Sequence, residues 1–250
     1  MKNAGLWRSM SVNLVISVAL FVVFFFLLRL LELLFPSLSL LHFDDLAWCV
    51  GVPASVIGVG YVLTIRDPKN YTGFYPGIVM SALLAWQCFL QGNIDLTILY
   101  VCVFIPFQVK SVIAWVKGNN NVAVSDDVSG SDSKAADSGP SFLSPRQRWL
   151  SVLFFVVMII ADYLIVTCLL QGDSLLDGVA VKLFGAIMIA SATLANFWLI
   201  YRKTDAWLYW VIYSFSGIVF FALVGNVFSV LLFCFFLVIN SMAGIAWLKA

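Results

Sequence analysis

Residues 202–249 read RKTDAWLYWVIYSFSGIVFFALVGNVFSVLLFCFFLVINSMAGIAWLK, and their hydropathy pattern indicates the fold class. After a short charged start it is one long apolar run, which is broken once by a Gly-Asn pair at 225–226. Such a run on each side of a two-residue break indicates two membrane helices joined by a tight turn. Residues 75–117 follow the same plan, with a Gly-Asn break at 92–93.

The composition places the whole chain in a membrane. Of its 250 residues, 62% are hydrophobic and 11% are charged, whereas soluble domains carry about 25% charged residues. The net charge of +1 gives no strong attraction to nucleic acid. The five cysteines form no CxxC or Cys/His cluster and His42 is the one histidine, so we predict no disulfide, metal site or cofactor.

The sequence predicts an all-α integral membrane fold, because its apolar runs have the length of membrane helices rather than of barrel strands. About eight runs qualify, namely residues 13–35, 46–65, 75–90, 96–116, 149–170, 179–201, 207–224 and 227–247. The first run follows Lys2 and Arg8, as in a signal peptide. It is longer than the apolar core of such a peptide and no small-x-small site follows it, so we interpret it as an uncleaved helix.

A polar segment separates the fourth and fifth runs. Residues 118–148 are rich in Ser, Asp and Gly and have no apolar period, which predicts a disordered loop. Lys and Arg are concentrated in the N-terminal tail, in this segment and after the second, sixth and eighth runs, whereas the opposite connections carry Asp. By the positive-inside rule we expect both termini and the loop on the cytoplasmic side of the cell membrane.

The chain contains an internal repeat of three helices. When the two Gly-Asn breaks are aligned, Ser81 falls on Ser214; a shift of one residue then matches Gln108 with Asn240 and both Ile-Ala-Trp triplets. The alternative is that apolar helices align by composition alone. The predicted organisation is a tail with the first helix at 1–45, a first repeat at 46–117, the loop at 118–148, a linker helix at 149–177 and a second repeat at 178–250.

The linker helix has a topological consequence. Two copies of an odd-numbered unit are inverted when they are joined directly, and one extra helix restores a parallel orientation. Parallel repeats about an axis along the membrane normal are a transporter architecture, with the substrate site between them near the midplane.

These residues resemble the PnuC family of vitamin transporters. The resemblance rests on Trp207 and Trp210, on GIVFFALVGN and GIAWLK in the second repeat, and on GFYPGIVMSALLAWQCFLQGN in the first. It covers residues 50–117 and 179–249. It implies a 3+1+3 helix core related to the SWEET sugar carriers, import of nicotinamide riboside by facilitated diffusion, trapping by cytoplasmic phosphorylation, and a homotrimer.

One position departs from the family's pattern. The family motif W-x-x-W-x-x-x-N/D is matched at both tryptophans, but Ser214 stands in its last place. A hydroxyl is shorter than an amide and makes fewer hydrogen bonds. Relatives of the family are associated with thiamine, riboflavin or deoxynucleosides, so the substrate stays open among these compounds.

Trp207, Trp210 and Ser214 are candidate substrate-binding residues because their i, i+3, i+7 spacing puts them on one helix face. Two indoles could sandwich a flat base or a pyridinium ring, and a cationic ring would gain about 0.5–2 kcal/mol from cation–π attraction. The hydroxyl could bond a ribose hydroxyl. The alternative is an aromatic belt at the membrane interface.

Polar side chains inside the apolar runs complete the predicted site. The four amides, which suit ribose hydroxyls and a carboxamide but also join helices to each other, are Gln87, Gln108, Asn196 and Asn240. Asp162 is the one carboxylate in the middle of a run. It could be a proton site or a counter-ion for a cationic ring, but we expect it to form an ion pair with Lys182 or Lys110. Arg29 and Glu32, at i and i+3, are expected to pair with each other.

Three function classes compete. The first is a facilitative transporter, with ion-coupled transport as a variant. The second is a membrane enzyme such as a lipid-modifying transferase, which needs a cluster of His, Asp or Glu; one histidine and one mid-run carboxylate argue against it. The third is a non-catalytic assembly partner, which needs no aligned polar residues inside its helices. We favour a transporter that binds a small molecule in the bilayer, and we predict no enzyme.

Overall fold

The computed structural model describes residues 2–35, 45–92, 94–126, 140–169 and 178–250. The α-helices of this described part are α1 Lys2–Leu34, α2 Leu46–Ile65, α3 Phe74–Leu90, α4 Ile94–Leu99, α5 Ile105–Asp126, α6 Pro145–Leu169, α7 Val179–Ile200, α8 Ala206–Leu223 and α9 Val227–Leu248. A π-helical turn at Tyr100–Phe104 joins α4 and α5 into one span. The described residues thus contain 8 helices long and apolar enough to cross a membrane, which confirms the predicted fold class.

The helices pack as two halves, which are α2 to α5 and α7 to α9. Within the halves, α2 packs on α3, α7 on α8, and α8 on α9. Outside them, α1 packs on α2 and α6 packs on α7. The halves meet where α5 packs on α7 and α9 packs on α2. The last helix of each half therefore contacts the first helix of the other half.

The connections lie at two ends of the bundle. We call the end with Arg66, Arg202 and Lys249 the cationic end, and the end with the α3–α4 and α8–α9 turns the turn end. Gly92 and Gly225 close those turns with φ of 75°, a left-handed conformation that is favourable for glycine. The two Gly-Asn breaks in the sequence are therefore helix ends.

Helix α1 begins before the apolar run because its first turns dock on the α2–α3 connection. The Leu6 carbonyl accepts hydrogen bonds from Asn70 Nδ2 at 3.5 Å and from Thr72 Oγ1 at 3.3 Å. Trp7 stacks on Tyr75, with 5.2 Å between ring centroids. These contacts fix the polar start of the chain to the bundle.

The predicted pairing of Arg29 with Glu32 on α1 is confirmed, with 2.9 Å between nitrogen and oxygen. The arginine end of this pair is exposed.

Proline explains the irregular fourth span. Pro106 has no N–H group for the carbonyl of Cys102, and its ring crowds that carbonyl. Just before it, the Ile105 N–H bonds the carbonyl of Tyr100, five residues back. Such a π-helical turn is a common way to absorb a break in the helix ladder. It turns Tyr100 toward the space between the two halves.

Residues 118–148, predicted as a disordered loop, are structured at both ends. Helix α5 continues into this segment, and α6 begins within it. Ser144 and Gln147 form a capping box for α6: the Ser144 N–H donates to Gln147 Oε1 at 2.9 Å, and the Gln147 N–H donates to Ser144 Oγ at 3.3 Å. Residues 127–139 lie outside the described part, so the loop prediction is untested there.

A short extended segment before α6 packs on the α7–α8 connection. The Ser141 N–H donates to the carbonyl of Arg202 at 3.1 Å, and the Thr204 N–H donates to the carbonyl of Ser141 at 2.9 Å. The Leu143 N–H donates to Asp205 Oδ2 at 2.8 Å, and the Leu143 side chain is buried. The segment is thereby fixed to the cationic end.

Candidate substrate site between the two halves

A cavity of about 1160 Å³ lies between the two halves. Its walls come from α2, α3, α4, the π-helical turn and α6 to α9. It reaches the turn end at Gly92 and Gly225, and it extends inward as far as Tyr61, Trp210 and Asn240. Pockets for drug-sized ligands have about 300–1,000 Å³, so a nucleoside fits this space.

Two predicted site residues meet on the cavity wall, Trp210 on α8 and Asn240 on α9. Ser214 links them: Asn240 Nδ2 donates to Ser214 Oγ at 2.9 Å, and Ser214 Oγ donates to the carbonyl of Trp210 at 2.9 Å. Trp210 Nε1 and Asn240 Oδ1 are buried and have no hydrogen-bond partner among the described residues. Unpaired buried polar groups cost free energy, so both atoms are candidates to bond a polar ligand.

Gln87 on α3 is the third predicted residue on the cavity wall. It lies opposite Gly51 of α2, where an added Cβ would be 2.4 Å from Gln87 Nε2. The absent side chain at position 51 therefore makes the room for this amide. A larger residue there would displace Gln87 from its place.

The equivalent pair in the first half is not part of the cavity lining. Ser81 Oγ donates to Gln108 Oε1 at 3.3 Å, which joins α3 to α5. Both side chains are buried, and neither lines the cavity. In this structure Gln108 joins two helices, as in the alternative that the sequence left open beside substrate binding.

Three other predicted residues also lie off the cavity. Trp207 is 2% exposed and packs on Trp247, with 5.6 Å between ring centroids. Ser214 is enclosed between α8 and α9, and Asn196 donates to the carbonyl of Ala192 in its own helix at 2.9 Å. In this structure Trp207 fills the gap between α8 and α9, and of the two indoles predicted to sandwich a ring only Trp210 borders the cavity.

Three tyrosines on the cavity wall were missed in the sequence, Tyr61, Tyr100 and Tyr213. Tyr100 of the first half and Tyr213 of the second both line the cavity and lie close enough for their hydroxyls to interact. The buried Tyr61 hydroxyl has no partner among the described residues. A search for hydroxyls as well as amides inside the apolar runs would have found all three.

The charged groups on the cavity wall, among the described residues, are the carboxylates of Asp45 and Asp162 and the ammonium of Lys182. Asp45 also caps α2 by accepting the Ala47 N–H at 2.8 Å. Asp162 comes from the linker helix α6, so this helix takes part in the site. The predicted pairing of Asp162 with Lys182 stays a prediction.

Comparison with known proteins agrees with this architecture and confirms the resemblance to PnuC. The crystal structure of the vitamin B3 transporter PnuC is similar, with a TM-score of 0.59 and 16% identity over 94% of this chain and 91% of that one. At this identity the likeness shows a shared fold. No curated protein matches the sequence.

A family model described as nicotinamide mononucleotide transporter matches residues 48–249. The match begins in α2 and ends in the last residues after α9, so it includes both halves and the cavity between them. Because it spans most of the chain, this protein belongs to the nicotinamide mononucleotide transporter family and is a multi-pass membrane transporter.

Proposed function

We propose that this protein imports a nucleoside-like vitamin across the cell membrane, with nicotinamide riboside as the first candidate. The observation that carries the proposal is that two residues of the cavity wall, Trp210 and Asn240, each have a buried polar atom without a partner among the described residues, Nε1 and Oδ1 respectively. One is a donor and the other an acceptor, and Ser214 links their residues. Ribose hydroxyls and a carboxamide offer both kinds of group.

The charges on the cavity wall favour a riboside over a mononucleotide. Asp45 and Asp162 supply two carboxylates against the single ammonium of Lys182. A cationic pyridinium ring gains from this balance, whereas a phosphate dianion is repelled. The face of Trp210 adds cation–π attraction for the same ring.

The same charge balance supports facilitated diffusion with trapping. The positive-inside rule places the cationic end, which includes Arg66 and Arg202, in the cytoplasm, so the cavity is open to the outside. A riboside that is phosphorylated in the cytoplasm gains negative charge and is rejected by an acidic cavity. Downhill entry followed by phosphorylation then needs no ion gradient, and uptake should be insensitive to pH and sodium gradients.

Other substrates and one other function class are the alternatives to nicotinamide riboside import. Thiamine, riboflavin and deoxynucleosides are the alternative substrates, and a non-catalytic assembly partner is the alternative class. The resemblance to PnuC supports a homotrimer. The distribution of Lys and Arg supports a cytoplasmic position for both termini of each protomer.

The first test is thermal stabilisation of the purified protein by each compound. A ligand at a hundredfold excess over its Kd stabilises the folded state by about 2.7 kcal/mol. We expect a shift with nicotinamide riboside that is lost in Trp210→Ala and kept in Trp149→Ala, a control at a residue 76% exposed on α6. A larger shift with the mononucleotide contradicts the charge argument. No shift with any compound contradicts the vitamin assignment and favours the assembly partner.

A further inference from the structure

Five aromatic rings form a continuous row at the cationic end, and this row crosses from one half to the other between Trp115 and Trp247. This aromatic plug consists of Tyr61, Phe74, Trp115, Trp207 and Trp247, each at most 2% exposed. Successive ring centroids lie 6.0 Å apart from Tyr61 to Phe74, 4.8 Å to Trp115, 5.7 Å to Trp247 and 5.6 Å to Trp207. Of the five, Tyr61 lines the cavity and the rest lie beyond it, so the plug closes the cavity at this end.

Two indole groups of the plug tie the halves together reciprocally. Trp115 Nε1 on α5 donates to the carbonyl of Leu199 on α7 at 2.9 Å. Trp247 Nε1 on α9 donates to the carbonyl of Ile65 on α2 at 3.0 Å. Each bond joins the last helix of one half to the end of the first helix of the other. All four residues are buried, so water does not compete for these bonds.

Arg202 reinforces the first of these bonds. Its Nη2 donates to the carbonyl of Trp115 at 3.2 Å, and its guanidinium lies 4.7 Å from the centre of the Trp115 ring. Its own N–H donates to the carbonyl of Leu199 at 3.0 Å. Burial lowers the pKa of the Arg202 guanidinium, which nevertheless stays charged near neutral pH. The cation thus holds the ends of α5 and α7 together.

We propose that the aromatic plug is the gate at the cationic end of the cavity, and that the two indole–carbonyl bonds hold it closed. Both bonds cross between the halves, so one rocking motion of the halves breaks both, while contacts inside each half persist. The consequence for transport rests on the proposed function, because a substrate leaving the cavity at the cationic end must pass these rings. The test of the gate itself needs no substrate.

Cys88 provides a reporter of access to the cavity. It lies on α3, lines the cavity and is one of the five cysteines of the chain. A full-length variant that keeps this thiol and carries alanine at the other four is labelled with a membrane-impermeant methanethiosulfonate in vesicles of either orientation. A separate Lys249→Cys marker identifies the vesicle side that carries the cationic end. In the unmutated gate, we expect labelling of Cys88 from the turn end.

The decisive variants keep an aromatic ring and remove a donor. Trp115→Phe and Trp247→Phe each delete one indole N–H, and we expect each to raise labelling of Cys88 from the cationic end by about tenfold. Together they should raise it further and slow labelling from the turn end. The control is Trp198→Phe, which deletes an equally short bond to Ser151 Oγ, 2.9 Å, between α7 and α6. It lies outside the plug and should not change the side of labelling.

The outcomes separate the gate from the substrate assignment. Labelling of Cys88 that keeps its wild-type sidedness in Trp115→Phe, Trp247→Phe and the double variant overturns the gate. If the double variant does not elute as folded protein, the two single variants decide. If the side of Cys88 labelling changes but no vitamin shifts the thermal unfolding, the gate is supported and the proposed substrate is contradicted.

Discussion

Arg202 ends α7 in a conformation that normally belongs to glycine, so substitutions there separate backbone strain from side-chain contacts. Its φ is 51°. The Lys203 N–H donates to the carbonyl of Trp198 at 3.0 Å, and the Arg202 N–H donates to that of Leu199, which together form a Schellman motif. Helix α8 ends in the same motif with Gly225 at the equivalent place, where φ is 75°.

At Arg202 the free-energy cost of the backbone conformation and the free-energy gain from the side-chain contacts have opposite signs. A non-glycine residue in the left-handed region costs about 1–2 kcal/mol. The Arg202 side chain offsets this through its charged hydrogen bond to the Trp115 carbonyl, about 1.5–3 kcal/mol, and its cation–π contact, about 0.5–2 kcal/mol. Arg202→Ala loses both contacts and keeps the strain, for a net loss of about 2–5 kcal/mol. Arg202→Gly recovers the strain and should lose about 1–3 kcal/mol.

Thermal unfolding of the purified variants in one detergent measures this difference. We expect the order wild type, Arg202→Gly, Arg202→Ala, with the two variants separated by about 2–8 °C. Gly225→Ala is the control for the backbone, because an added Cβ there meets no atom within 4 Å. It should lose about 1–2 kcal/mol. An alanine variant as stable as the glycine variant refutes the strain argument, and a glycine variant above wild type refutes the value of the side-chain contacts.

Two further predictions concern other contacts. Asp205→Asn should weaken the hydrogen bond from the Leu143 N–H and release the segment before α6. Limited proteolysis should then cleave this segment faster. An unchanged cleavage rate contradicts the view that Asp205 holds the segment in place. Ser214→Ala removes the acceptor of Asn240 Nδ2 and should weaken binding of nicotinamide riboside about tenfold in calorimetry. Ser81→Ala, the matched change off the cavity, should leave the affinity unchanged, and an equal loss in both variants contradicts the assignment of the site.

The number and place of the membrane helices were predictable because a bilayer sets their length and requires each backbone group to be bonded within the segment. Their ends were less predictable. Helix α6 starts in residues assigned to the loop, since Ser144 and Gln147 cap it reciprocally. Helix α1 starts before its apolar run because Asn70 and Thr72 bond its first turn. Single polar residues determine these helix starts, and a search for long apolar runs does not detect them.

Only part of the lining of the candidate site could be predicted from the sequence, and the reason is geometrical. A spacing of i, i+3, i+7 shows that Trp207, Trp210 and Ser214 share a helix face, but not which helix covers that face. Helix α9 covers most of it, because Gly244 leaves room for Trp207; a Cβ added at Gly244 would lie 3.1 Å from the Trp207 Cβ. Trp210 is left at the edge of this contact, where the cavity begins. Tertiary packing, which the spacing does not specify, therefore divides one face between core and cavity.

The two halves are alike at the cationic end and differ at the cavity, and this contrast links the gate to the site. Trp115 and Trp247 make reciprocal bonds, so a rocking motion opens both sides of the plug together. The polar pairs differ: the Asn240 pair borders the cavity through its amide, whereas the Gln108 pair is sealed off. Gln87, Tyr61 and Tyr100 line the side of the first half, and Trp210 and Asn240 line the side of the second, so a ligand in the cavity meets different polar groups on its two sides. The two equivalent indole–carbonyl bonds suit a rocking motion of the two halves. The different polar groups on the two sides of the cavity suit selectivity for an asymmetric molecule such as a nucleoside.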